Sequence, residues 1–271
     1  MNKAINVAFA SPKGGVGKTM LTVLTASYLH YQRGYNVAVI DCCYPEHGIG
    51  FLRKNEIERI EKDSQYYHKA RQQFTTTPKK TYAIIDTRVE TALRATEALQ
   101  EVDIIFFDIP ALMSVDGTVE LLAAMDYIIY PVTSGSWIMN ATQQFAETMN
   151  QQVVTTGKSH VRGMFLLRNM VRSHDGAAFH TTCQTIADET GTILLATILP
   201  HSSHFQKDVF YKEKQEVCVN TVFPFDKKFA GMLGGLMQEV EQIVKEPCGK
   251  SLWLPPSLMG YGWRVMLFTN G

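Results

Sequence analysis

Long apolar runs are missing from this sequence. No uninterrupted hydrophobic stretch reaches the ~18 residues that a membrane-spanning helix needs, so no membrane span is expected. An excess of one charge is missing too. Lysine and arginine total 26, aspartate and glutamate total 26, and the formal net charge at pH 7 is zero. The chain therefore has no global attraction for nucleic acid or anionic lipid, and any such binding has to come from a local patch. Cysteines are few. Cys42, Cys43, Cys183, Cys218 and Cys248 are odd in number and form no C-x-x-C pair, which suggests neither a disulfide framework nor a zinc site. A reduced, cytoplasmic setting is expected. The first ten residues carry one lysine and a short strand-like run, unlike a secretory leader. Internal repeats and low-complexity segments are also absent.

What is present is alternation. The 271 residues are 45% hydrophobic, enough for a sizeable core. Short apolar runs at Ala4–Ala10, Val37–Ile40, Tyr82–Ile85, Ile104–Phe107, Tyr127–Val132, Val161–Leu167 and Ile193–Ile198 read as buried strands. Segments with helical patterning separate them. The expected fold class is α/β: a three-layer, mainly parallel twisted sheet with helices on both faces. Residues 51–74 are polar and rich in charge and read as one or two exposed helices, either a solvated face or an insertion for a partner. A helix is expected over residues 89–100 and another over His201–Glu216. A final helix, Phe225–Lys245, is expected to break at Gly234-Gly235. One domain is expected over residues 1–246, with residues 247–271 as an apolar C-terminal extension. That extension holds Pro255-Pro256, Gly260 and Gly262, and only Lys250 and Arg264 as cations. It therefore does not read as a basic amphipathic membrane helix.

The chemistry concentrates in Ser11-Pro12-Lys13-Gly14-Gly15-Val16-Gly17-Lys18-Thr19, between the first strand and the first helix. Strand, glycine-rich loop and helix together make a phosphate-binding context. The backbone N–H groups and the positive helix N-terminus cradle phosphate, Lys18 reaches the β- and γ-phosphates, and Thr19 gives its hydroxyl to Mg²⁺. Pro12 stands where the general pattern has its first glycine. Two strands end in aspartate, Asp41 and Asp108, at the sheet edge where ligands bind. The run Ile104-Ile105-Phe106-Phe107-Asp108 reads as a Walker B strand whose carboxylate holds Mg²⁺ through water.

The sequence K-G-G-x-G-K-T resembles the ParA/MinD family of deviant P-loop ATPases, over roughly residues 3 to 245 and most like the ParA-type proteins of conjugative elements. The resemblance implies ATP and Mg²⁺ as cofactors and a homodimer closed across the nucleotide. It implies that Lys13 crosses to the nucleotide of the other subunit and that Lys18 and Asp41 complete the catalytic set. Gly14, Gly15, Val16, Gly17, Lys18, Thr19 and Met20 would line the phosphates, and Thr19, Asp41 and Asp108 would surround the metal. Asn169 would bond adenine and Pro200 would pack on its ring.

Two positions depart from the family pattern. Cys43 stands where a second aspartate usually helps position the attacking water, and Met20 stands where Ser or Thr usually contacts the α-phosphate. Glu46 replaces the missing carboxylate only if its loop folds back. The implied partners are a ParB-like regulator and DNA bound without sequence preference. Lys158, Arg162, Arg168, Arg172, Lys207, Lys212, Lys214, Lys227 and Lys228 are the candidate DNA contacts; membrane is not expected. The implied role is DNA partition or maintenance of a mobile element. A non-hydrolysing ATP-binding scaffold and a P-loop ligase remain as alternatives on the same fold.

Overall fold

A continuous apolar strand is stable only where both faces of its sheet are covered, because successive side chains point to opposite sides. The computed structural model describes residues 3–76, 79–111, 115–151, 159–202, 219–224 and 229–245. The chain runs β1 (Ile5–Phe9), α1 (Lys18–Ser27), β2 (Val37–Asp41), α2 (Gly48–Lys62), α3 (Ser64–Thr76), β3 (Ala83–Asp86) and α4 (Ala92–Ala95). It continues through β4 (Ile104–Asp108), α5 (Thr118–Ala123), β5 (Tyr127–Val132), α6 (Ser136–Met149), β6 (Gly163–Val171), α7 (Ala177–Thr190), β7 (Ile193–Pro200) and α8 (Ala230–Lys245). The strands form one seven-stranded sheet in the order β3-β2-β4-β1-β5-β6-β7, and every pairing is parallel.

Each central strand divides its side chains between two cores. Val7, Phe9, Val39 and Phe106 face one side with Leu21, Leu24, Leu233 and Leu236 of α1 and α8. Ala8, Ile40, Ile105 and Phe107 face the other with Leu121, Phe145, Phe179 and Ile186 of α5, α6 and α7. A fully buried side chain of this kind contributes about 1.5–3 kcal/mol, so the sheet is held from both faces.

The register positions the chemistry. Phe9 and Asp41 both lie opposite Asp108, and Asp86 lies opposite Asp41. The loop after β1 and three strand-end carboxylates therefore share one sheet edge. Strand β1 has β4 on one side and β5 on the other, so its carboxyl end opens at a topological switch point.

Some expectations need correction. Helix α8 runs unbroken through Gly234-Gly235. A Cβ on Gly235 would come 2.7 Å from Thr197 Oγ1, so this glycine lets the helix approach β7 rather than breaking it. The helix expected over residues 89–100 is three short pieces: a 3₁₀ turn at Val89–Thr91, α4, and a second 3₁₀ turn at Thr96–Ala98. The hydroxyl of Thr96 donates to the Leu93 carbonyl at 2.6 Å, a side-chain bond of the kind that competes with helical continuation. Strand β6 extends through Asn169 to Val171, so Asn169 lies inside the strand. The helix expected at His201–Glu216 falls largely outside the described residues, as does the extension 247–271. Among the described residues no helix is long and apolar enough to cross a membrane.

Residues 51–74 form most of α2 and α3, but one carboxylate in that charged stretch is buried. Both Glu56 oxygens accept the Thr221 N–H at 2.9 Å, and the Thr221 hydroxyl donates to Oε2. Arg53 Nε donates to Thr221 Oγ1 at 2.6 Å. Burial outweighs these bonds and raises the Glu56 carboxyl from 4.5 to about 7. The folded chain therefore holds a proton there that the unfolded chain has already lost between pH 4.5 and 7. The resulting stability is fully present below pH 4.5 and is lost as pH rises through 7, a change of about 3 kcal/mol. In urea titrations from pH 5 to pH 8, Glu56→Gln is expected to flatten this decline. A variant whose stability falls with the wild-type slope would show that Glu56 titrates normally.

Candidate nucleotide site

The loop after β1 folds as a cradle because its glycines adopt conformations that other residues resist. Gly15 and Gly17 have φ of +76° and +88°. Gly17 is also the N-cap of α1, and a Cβ there would come 2.9 Å from Asn169 Nδ2. The cradle opens on a cleft of about 310 Å³ lined by Gly15, Gly17, Lys18, Thr19, Met20, Asn169, Met170, Pro200, His201 and Ser202. Seven of the expected nucleotide residues are thus brought to one cavity. Of the other two, Gly14 is exposed and Val16 is buried, and neither lines the cleft.

Lys18 is buried, at 8% exposure, and its ammonium is near enough to the Lys13 carbonyl to donate at 3.3 Å. Burial lowers its pKa, and the Asp108 carboxylate opposes that shift. The Thr19 hydroxyl donates to Asp108 Oδ2 at 2.7 Å. The other Asp108 oxygen, Oδ1, is buried without a hydrogen-bond partner among the described residues. Burial, joined by the Asp41 carboxylate, pushes the Asp108 carboxyl up to about 6 against the Thr19 bond and the Lys18 charge. A fully buried carboxylate with an unpaired oxygen beside a threonine hydroxyl suits a hard divalent cation, which takes oxygen ligands. The residues therefore fit Mg²⁺.

Asp41 is fully buried and shapes the neighbouring loop. Its Oδ1 accepts the Cys43 N–H at 3.0 Å and its Oδ2 accepts the Ile49 N–H at 2.9 Å. The Cys43 thiol donates to Asp108 Oδ2 at 3.6 Å and is placed 3.8 Å from the Asp108 carbonyl. Burial and then the Asp108 carboxylate hold that thiol well above its usual pKa, so it is a neutral, weak donor. The ligand atoms of Asp41, Cys43 and Asp108 lie within 4.8 Å of one another. Glu46 is exposed and makes no hydrogen bond or ion pair with these groups.

Lys13 is half-buried, and its ammonium sits 4.8 Å from the centroid of the Trp137 ring. Asn169 is 2% exposed, and its Nδ2 donates to the Val16 carbonyl at 2.8 Å. Met170, His201 and Ser202 also line the cleft and were not singled out in the sequence. Met170 directly follows Asn169 and the other two directly follow Pro200, so adjacency to a candidate was their available signal; the φ of +54° at Met170 is a tertiary outcome.

Two of the candidate DNA contacts are engaged inside the fold. Arg162 pairs with Asp126 at 3.1 Å, and Arg168 donates to the carbonyls of Leu195 and Ala196 at 2.9 and 3.1 Å. Arg172 is exposed. Lys158, Lys207, Lys212, Lys214, Lys227 and Lys228 lie outside the described residues.

Residues 7–214 match the family model described as the CobQ/CobB/MinD/ParA nucleotide binding domain. Among curated proteins no match was found. Among solved structures the chain is similar to the ParA of pNOB8, with 17% identity, a TM-score of 0.56, and 92% of this chain and 99% of that one covered. A plasmid partition protein of Borrelia burgdorferi bound to AMPPNP is 18% identical, with a TM-score of 0.52 and 88% and 100% covered. The septum site-determining protein MinD of Pyrococcus horikoshii, complexed with Mg-ADP, is 14% identical, with a TM-score of 0.54 and 89% and 97% covered.

Proposed function

We propose that this chain, which belongs to the CobQ/CobB/MinD/ParA family of nucleotide-binding domains, is an ATP-switched dimer of the partition type. One observation carries the reading. Thr19, which lines the glycine-lined cleft, meets buried Asp108 at 2.7 Å beside buried Lys18, and Asp108 Oδ1 has no hydrogen-bond partner among the described residues.

In this reading the N–H groups of Gly14, Gly15, Val16 and Gly17, at the start of α1, receive the phosphates. Lys18 neutralises the β- and γ-phosphates, and Met20 flanks the α-phosphate. Thr19 and Asp108 would hold Mg²⁺, with Asp41 next to it, and a bound Mg²⁺ would supply neutralisation of developing phosphate charge. Asn169 has its amide nitrogen committed to Val16, which leaves Oδ1 as an acceptor for an exocyclic amine. That polarity suits adenine, and Pro200 lies where it can pack on the ring. Lys13 crosses to the nucleotide of a second copy. DNA and a ParB-like regulator are the proposed partners, and hydrolysis resets the dimer.

The test pairs dimerisation with turnover. With ATP and Mg²⁺ the wild type is expected to dimerise, and Lys13→Ala to dimerise at least tenfold more weakly, a loss of about 1.4 kcal/mol. Equal dimerisation in both would sink the cross-subunit role. Turnover is expected to rise when duplex DNA is added. The Cys43 thiol favours a second reading, a switch that binds ATP without hydrolysing it. ATP-dependent dimerisation with no turnover on DNA would select that reading.

A further inference from the structure

Trp137 is the second residue of α6 and is 73% exposed. The helix is fastened by Met139, Thr142, Phe145, Ala146 and Met149, which are buried, so the indole is not part of its anchorage. The ring instead carries the Lys13 ammonium 4.8 Å from its centroid. Among the described residues that ammonium has no ion pair and no hydrogen bond. An indole face is the strongest aromatic partner for a cation, and the contact is modest at an exposed site.

We infer that Trp137 is a positioning residue for Lys13, holding the ammonium on its own protomer until a second copy presents its phosphates. The inference rests on the proposed cross-subunit role of Lys13. In the free protomer the ring gives the lysine a resting place beside the cradle. In the dimer the same ammonium has to leave the ring to meet phosphate across the interface. The contact therefore opposes dimerisation, once per protomer and twice per dimer. Its strength corresponds to a factor of about three per lysine, or about tenfold for the pair. Trp137 thereby sets the protein concentration at which ATP drives assembly, without touching the nucleotide. Removing its ring should not change how tightly a monomer binds nucleotide.

Sedimentation of the full chain with AMPPNP and Mg²⁺ tests this in a double-mutant cycle of Lys13→Ala and Trp137→Leu, with Trp137→Tyr as the conservative variant. Trp137→Leu is expected to tighten dimerisation about tenfold, and Trp137→Tyr to stay near the wild type. In the Lys13→Ala background, Trp137→Leu is expected to change nothing. Weaker or unchanged dimerisation of Trp137→Leu would overturn the inference, as would an equal effect with and without Lys13. Those results would mean that the indole does not act through the lysine. Wild-type dimerisation of Lys13→Ala would overturn the cross-subunit reading itself, so the two failures are distinguishable. Because Trp137 lies outside the core, its variants fold, and unaltered AMPPNP affinity of the monomer confirms that for each.

Discussion

Lys18→Ala is expected to cut nucleotide affinity and turnover by at least about 100-fold while leaving the empty protein no less stable than the wild type. The combination follows from where the ammonium sits. Lys18 is 8% exposed, and its protein hydrogen bond, to the Lys13 carbonyl, is 3.3 Å long. Burial lowers its pKa although Asp108 pulls the other way. A cation that is desolvated and weakly bonded costs the fold free energy. In the proposed function the phosphates of a nucleotide are the partner that offsets this cost. Removing the ammonium therefore relieves the empty state and deprives the bound one. Nucleotide titration by calorimetry and urea denaturation of the empty protein read the two halves. A variant that binds ATP within threefold of wild type would remove Lys18 from the site. A variant that binds weakly but also unfolds more readily would assign the lysine a structural role.

Cys43→Asp is expected to destabilise the empty protein by about 2–4 kcal/mol at pH 7, and Mg²⁺ with nucleotide is expected to reverse the loss. The wild-type thiol lies 3.6 Å from Asp108 Oδ2, and Asp41 packs against the same loop. Asp108 is already raised to about 6 by burial, with Asp41 contributing. Lys18 supplies one positive charge to this cluster, so a third carboxylate there cannot ionise alongside the others without a further counter-charge, and one of the group retains a proton. The loss therefore grows as pH rises, because the retained proton is harder to keep. A divalent cation supplies the missing charge and selects the ionised form. Melting temperatures between pH 6 and 8, with and without Mg²⁺ and AMPPNP, read the effect. Cys43→Ser serves as the uncharged control and is expected to melt near the wild type. A Cys43→Asp protein that melts like wild type without Mg²⁺ would place residue 43 away from Asp108. If turnover in Cys43→Asp rises at least tenfold, the thiol limits hydrolysis in the natural chain. If turnover is unchanged, water is positioned by another group.

These two predictions differ in how far the sequence alone anticipated them. Lys18 announces itself, because a lysine after three glycines and before a helix has few roles other than holding phosphate. The sequence also showed Cys43 standing at an unusual place. It did not show the thiol directed at the Asp108 carboxylate, because that contact joins the loop after β2 to the end of β4, 65 residues away. Asp41 lies between the two cases. Its place at a strand end is written in the local pattern, but its bonds to the Cys43 and Ile49 backbones require the folded loop. Glu46 was a candidate for the missing carboxylate, and the fold leaves it at the surface.

Some features were legible from one strand or helix at a time. Ile104–Asp108 reads as a buried strand because four apolar residues in a row, before the terminal aspartate, leave no polar face. The glycine-rich loop reads as a phosphate cradle because its backbone geometry is a local property. The parallel sheet follows from the alternation of such strands with helices. Other features depended on which elements pack together. The charge pattern of α2 gave no sign that Glu56 is buried, because Thr221, far along the chain, covers it. The pair Gly234-Gly235 reads as a break in isolation, and it is β7 beneath it that makes it a point of close approach. Trp137 carries no sequence signal at all, since its ring finds Lys13 only when β1 and β5 lie side by side. By itself the sequence determined the central strands and the glycine-rich loop between the first strand and the first helix, because short-range periodicity and backbone freedom decide those. Only the tertiary structure decided what each carboxylate, thiol and indole faces, because burial and pairing depend on neighbours distant in the chain.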